Sequence, residues 1–184
     1  MGPWHRTTGS LLALICVLIP SAGCFSGTPG AAPVTPGARR TPPAPDLCAK
    51  IDQKVVTAAL RGKADRCAGA PGKSVFTVTF TGTARLSAER IPAVLTVSYA
   101  LRRDPESGED LWRIAGGTGG DRVTLFGVGD DAVFNARAEP QPQLVTVKGD
   151  LMVAVGLDFT GRDVPQAGLP DRLMEVARQA LAAT

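Results

Sequence analysis

The sequence predicts an α+β domain: an antiparallel sheet of about five to six strands, with an N-terminal and a C-terminal helix packed on one face. Three observations predict it. Two helical stripes stand at the ends of the region 46–184. Several segments between them alternate apolar and polar residues with period two. Turn signals separate those segments at short intervals. Clean alternation points to a sheet with one wet face, which antiparallel sheets allow.

The first stripe opens at Asp46, a plausible N-cap. Leu47, Ile51, Val55 and Ala59 recur every four residues, and Val56 and Leu60 widen the apolar face. Gly62 reads as the helix stop, which places Cys67 just beyond the helix. Strands follow. Phe76, Val78 and Phe80 share one face while threonines alternate with them. Leu95, Val97, Tyr99 and Leu101 alternate with Thr96, Ser98 and Ala100. Leu86 to Arg90, between the two runs, is compatible with a helical turn. Asp104 to Gly108 reads as a turn, and Leu111 to Ile114 as a short strand after it. Gly116-Gly117-Thr118-Gly119-Gly120 reads as a flexible loop. No Lys-Ser or Lys-Thr follows it, so the Walker phosphate-loop pattern is absent. Val123 to Phe126 is a further strand. Leu144 to Val147 and Leu151 to Leu157 flank Lys148-Gly149-Asp150, a hairpin turn signal. The closing helix starts at Pro170-Asp171. Leu173, Val176, Ala177, Ala180 and Leu181 form its apolar stripe; Arg172, Glu175, Arg178 and Gln179 form its polar face.

Residues 1–23 read as an export signal. Arg6 charges the extreme N-terminus, and no acidic residue occurs before Asp46. Leu11 to Ile19 is an apolar run of nine residues. That fits a signal-peptide core and falls short of the roughly 20 residues of a membrane span. Ser21-Ala22-Gly23 are small enough for a peptidase cleft, and Cys24 follows them. The stretch resembles the lipobox of bacterial lipoproteins, although Ser21 stands where such boxes usually carry leucine. The resemblance implies cleavage before Cys24, diacylglycerol on its thiol, and a protein held on the extracytoplasmic face of the cell membrane. Two or three acyl chains, at about 0.8 kcal/mol per buried methylene, make a stable anchor. The other reading is an ordinary secretory signal, with Cys24 a stray thiol. Residues 24–45 carry six prolines among Gly, Ala, Ser and Thr. Such a tether cannot bury enough apolar surface to fold, and its extended form reaches on the order of 50 Å. Arg39-Arg40 reads as solvated linker charge. Thr28, Thr35 and Thr41, each followed by proline, are candidate glycosylation positions.

Composition narrows the chemistry. The whole chain carries a formal charge of +3. Losing residues 1–23 takes away Arg6 and leaves +2, too mild for a nucleic-acid or polybasic lipid surface to be argued from it. The single histidine, His5, lies in the removed segment. Cys48 and Cys67 are then the two cysteines of the exported domain, and in an oxidising compartment such a pair forms a disulfide. A zinc site would need more nitrogen or sulfur ligands, and a cysteine nucleophile would lack its imidazole partner. No metal and no cofactor is expected.

Cys48, Cys67, the run Gly129-Asp130-Asp131-Ala132, the hairpin from Val147 to Val153 and the last helix stand in an order with a known counterpart. It resembles a family of small actinobacterial lipoproteins whose domain has no assigned function. The resemblance covers roughly residues 46–184, without the tryptophan expected soon after the second cysteine. It implies the compartment more than an activity. Asp130 and Asp131 are the weak candidate site, as calcium ligands or an acid/base pair. On an extended segment neighbouring side chains diverge, so the plainer reading is a turn.

Two function classes follow. The first is a non-enzymatic binding or assembly module of the cell envelope, with a lipid or an envelope protein as ligand. A carrier would show a deep apolar pocket, and an interaction module an exposed apolar patch. The alternative is a carboxylate-dependent hydrolase acting on envelope glycans, with Asp130, Asp131, Asp150 and Asp158 as candidates and two carboxyl groups roughly 5–9.5 Å apart.

Overall fold

The computed structural model of the chain describes residues 46–71, 75–101 and 121–184. The signal and tether segments, Cys24, the turn at 104–108, the strand expected at 111–114 and the glycine cluster at 116–120 lie outside the described residues.

Among the described residues three helices and seven strands succeed one another: α1 (Leu47–Lys50), α2 (Gln53–Leu60), β1 (Gly62–Pro71), β2 (Val75–Leu86), β3 (Glu89–Leu101), β4 (Arg122–Leu125), β5 (Asp131–Asn135), β6 (Gln143–Lys148), β7 (Leu151–Phe159) and α3 (Leu169–Ala183). The strands form one sheet in the order β1-β2-β3-β7-β6-β5-β4. All six pairings are antiparallel. The expected α+β class and antiparallel sheet are therefore present, with seven strands instead of five or six.

The first helical stripe is broken in two. Ile51 is extended, with ψ 123°, and Asp52 caps a new helix by accepting from the Lys54 N–H at 2.7 Å. The Asp52 N–H in turn donates to Gln179 Oε1 of α3 at 2.7 Å. The every-fourth-residue pattern runs through the break because Leu47 and Ile51 are both buried beside α2 in the same core. The helix stop is Arg61, in the left-handed region at φ 55°, and Gly62 already belongs to β1. A Cβ at Gly62 would meet the Thr83 carbonyl at 1.9 Å, so glycine lets the two backbones close up. Cys67 thus lies inside a strand, paired with Phe80 of β2. Between β2 and β3 there is no helical turn: Ser87 and Ala88 make a two-residue turn between Leu86 and Glu89, with Ser87 at φ 56°. At the other predicted hairpin, Gly149 (φ 55°) and Asp150 join Lys148 to Leu151.

Alternate positions build the main core. Val78 and Phe80, the β3 series Ile91, Ala93, Leu95, Val97 and Tyr99, and the β7 series Val153, Val155, Leu157 and Phe159 are all buried. They form one cluster with Leu47, Ile51, Val56, Ala59 and Leu60 of the first helices and with Leu169, Leu173, Val176, Ala177, Ala180 and Leu181 of α3. The opposite face is wet over only half its width. On β2 and β3 it carries Thr77, Thr79, Thr96 and Ser98, with Thr77 and Ser98 hydroxyls 3.0 Å apart. On β5, β6 and β7 it carries a second apolar cluster, Val133, Val145, Val147 and Ala154, flanked by Met152. The single wet face expected from the alternation is corrected to this divided one.

Candidate functional site

Cys48 of α1 and Cys67 of β1 form a disulfide with a Cα–Cα distance of 5.8 Å. It ties the four-residue α1 to β1, the strand at one end of the sheet among the described residues.

The acidic run lies where β4 turns into β5. Gly127 (φ 82°) and Gly129 (φ 64°) bracket Val128, which is buried. A Cβ at Gly129 would meet Thr146 Oγ1 at 2.3 Å and the Val147 carbonyl at 2.4 Å, so both the angle and the close approach require glycine. The buried Thr146 hydroxyl lies 3.0 Å from the Val128 carbonyl and 2.9 Å from the Asp131 carbonyl, either of which can accept its proton. Asp130 donates its N–H to the Val147 carbonyl at 2.6 Å. Its carboxylate accepts from the Gly149 N–H at 2.7 Å. Arg178 of α3 donates through Nε to the Gly127 carbonyl at 3.0 Å and pairs with Glu175, also at 3.0 Å. The run is a clasp that holds the β6–β7 turn, the entry to β5 and α3 together.

This arrangement bears on the two candidate aspartates. Asp131 is the first residue of β5 and falls on the strand face of Val133, in register with Val147. Asp130 spends its carboxylate on the hairpin turn. Asp150 sits in that turn, whereas Asp158 lies eight positions farther along the chain on β7. At about 3.3 Å per residue that separation is roughly 25 Å, well beyond a two-carboxylate spacing. A small cavity of about 240 Å³ beside the run is lined by Gly127 to Asp130, Lys148, Arg178 and Leu181. Among the described residues no group of three or more His, Cys, Asp or Glu is placed to hold a metal ion. Replacing Asp130 by Ala is expected to lower the unfolding free energy by about 1.5–3 kcal/mol, the range for a lost hydrogen bond to a charged group. A thermal melt that leaves the variant at the wild-type midpoint would mean that the carboxylate does not hold the turn.

A larger cavity, about 620 Å³, opens at the α2–β1 junction. It is lined by Thr57, Arg61, Gly62, Lys63, Asp65, Thr83, Ala84, Arg85 and Arg90. None of these residues stands out in the sequence as a site, because they come from α2, β1, β2 and β3. The available signal is Arg85 and Arg90, symmetric about the Ser87-Ala88 turn and directly paired across β2 and β3. Among the described residues Val123 and Phe126 are exposed apolar side chains on and beside the edge strand β4; Phe126 is 86% exposed.

Among the described residues no helix is long and apolar enough to cross a membrane. Comparison with protein-family models, with curated proteins and with solved structures finds no match for the chain.

Proposed function

We propose that the mature chain is a lipid-anchored module on the extracytoplasmic face of the cell membrane, which binds or assembles envelope components and performs no catalysis. In this reading the helices lie together over one sheet face and leave the opposite face and the sheet edges for partners. The observation that carries it is cysteine usage. Cys24 follows Ser21-Ala22-Gly23 behind an apolar run, and the two later cysteines, Cys48 and Cys67, are spent on a disulfide. A bridge of this kind belongs to an oxidising compartment. The charged side chains that ring the larger cavity favour an interaction module over an apolar-ligand carrier. So do the exposed Val123 and Phe126 on and beside the outermost strand β4.

The test is metabolic labelling of the full chain with an alkyne fatty acid, followed by membrane fractionation. The wild type is expected to carry label and to sediment with membranes. Cys24→Ala is expected to lose the label and appear in the soluble exported fraction. Equal labelling of the two, or a wild type found unlabelled in the medium, would sink the anchored reading. In the same strain, photocrosslinking from position 126 should give a discrete higher-mass adduct if the β4 edge meets a protein partner.

A further inference from the structure

The chain's net charge is small, yet its cations are not evenly spread. Arg61, Lys63, Arg85 and Arg90 surround the larger cavity, with Asp65 as the single carboxylate among the described residues that line it. Three arginines elsewhere are in ion pairs: Arg137 with Asp121, Arg162 with Glu89 and Arg178 with Glu175. Glu89, next to Arg90 in sequence, is therefore already taken, by Arg162 at 3.0 Å. None of the four cavity cations is in an ion pair among the described residues.

Their placement runs against the sheet's own stability. Arg85 and Arg90 are direct cross-strand partners. Like charges directly opposite each other destabilise a strand pair. Lys63 is paired with Thr83 on the adjacent strand, so its charge adds to the same end of the sheet. Arg61 comes in from the C-terminal end of α2, fixed by its left-handed backbone. The positive field extends into α3. Arg172 donates one nitrogen to the Ala167 carbonyl, while its Nε and second terminal nitrogen are buried without a partner. Burial first, and the charge of Arg61 second, push this guanidinium below the usual arginine range.

We propose that this cavity is a binding site for a phosphate group. Guanidinium forks match the oxygen geometry of phosphate and bind it with charge-assisted pairs, whereas a lone lysine acts as a point charge. Three arginines and a lysine around one opening supply both. The volume of about 620 Å³ lies within the range of small-molecule sites, enough for a phosphate together with part of the group that carries it. Bound anion removes the Arg85–Arg90 repulsion, so the ligand stabilises the end of the β2–β3 hairpin. The same chemistry has two sources, a free phosphorylated compound and an anionic phospholipid headgroup. The lipid-anchored reading bears only on which source is at hand, and the site stands without it.

The experiment uses the full exported chain carrying Cys24→Ser, so that acyl insertion cannot drive binding. The probes are inorganic pyrophosphate, vesicles of equal parts phosphatidylglycerol and phosphatidylcholine, and vesicles of phosphatidylcholine alone. Arg85→Gln with Arg90→Gln is expected to weaken binding about tenfold, equivalent to about 1.4 kcal/mol. Lys54→Gln with Arg66→Gln removes the same net charge at exposed positions outside the cavity and is expected to retain wild-type affinity. Saturable binding of pyrophosphate, weakened by the arginine pair, assigns the site to a free phosphorylated ligand. Binding to the anionic vesicles only, weakened in the same way, assigns it to the headgroup. Absence of binding to both, or equal weakening by the two double variants, overturns the proposal. The melting temperature of the arginine variant is expected to match or exceed that of the wild type, because a like-charge pair is gone. Should it fail to fold, Lys63→Gln at an exposed strand position repeats the comparison.

Discussion

Phe80→Ala is expected to lower the unfolding free energy by about 3–5 kcal/mol, the range for truncating a buried phenylalanine. The ring is fully enclosed, at 0% exposure. Phe80 is the central member of a cross-strand row, between Cys67 of β1 and Leu95 of β3. It belongs to the same cluster as Leu47 and Leu60 of the first helices and Leu173 of α3. Truncation therefore loses the transfer free energy of the ring and leaves a cavity that those neighbours fill only in part. A domain of this size has about 5–15 kcal/mol in total, so the variant would lie near the threshold of folding. Phe126→Ala is the matched control: the residue is 86% exposed, and its loss is expected to change stability by no more than about 0.5 kcal/mol. Urea unfolding followed by far-ultraviolet circular dichroism reads both. A loss below about 1 kcal/mol at Phe80 would contradict its place at the centre of the core.

How much of this was legible in advance depended on whether one face of an element was apolar and the other was not. β2 and β3 carry Val78 and Phe80, and Leu95, Val97 and Tyr99, against threonines and a serine, and the period of two is plain. The Gly149-Asp150 hairpin announced itself through its turn residues. β5 did not. Ala132 and Phe134 enter the main core while Val133 enters the second cluster, so both faces are apolar and the alternation vanishes. β1 was hidden for the opposite reason. Its sequence, Gly62 to Pro71, is rich in Gly, Ala and charge, and it becomes a strand because β2 offers it an edge to pair with. Tertiary pairing there overrides a weak intrinsic preference. The acidic run is divided, Gly129 and Asp130 in a bend and Asp131 and Ala132 in the first positions of β5. Its partners Thr146 and Arg178 lie 14 and 46 residues beyond Ala132, and nothing local in the sequence points to them. The basic cavity was missed because net charge averages over the chain, whereas binding depends on where folding places the charges.

Removing the Cys48–Cys67 bridge is the second large effect. The two cysteines are 19 positions apart, and closing a loop of that size is worth about 3 kcal/mol in the chain-entropy account. The local consequences should be uneven. α1 has four residues, too few to hold a helix by its own hydrogen bonds. Among the described residues β1 is a terminal strand with a neighbour on one side only. The bridge joins these two weakly held elements, and both half-buried cysteines pack against the core beside them. Reduction of the wild type and the double substitution Cys48→Ala with Cys67→Ala are each expected to lower the unfolding free energy by about 3 kcal/mol. Hydrogen exchange should quicken first in α1 and β1. β3 and β7 should keep their protection, because they are interior strands, each paired on both sides. If reductant leaves the urea midpoint of the wild type unchanged, the bridge contributes nothing to stability. If exchange instead quickens uniformly, α1 and β1 are not a separable unit, and the bridge restrains the unfolded chain as a whole. The pattern of exchange, more than the size of the loss, therefore tells what the disulfide holds in place.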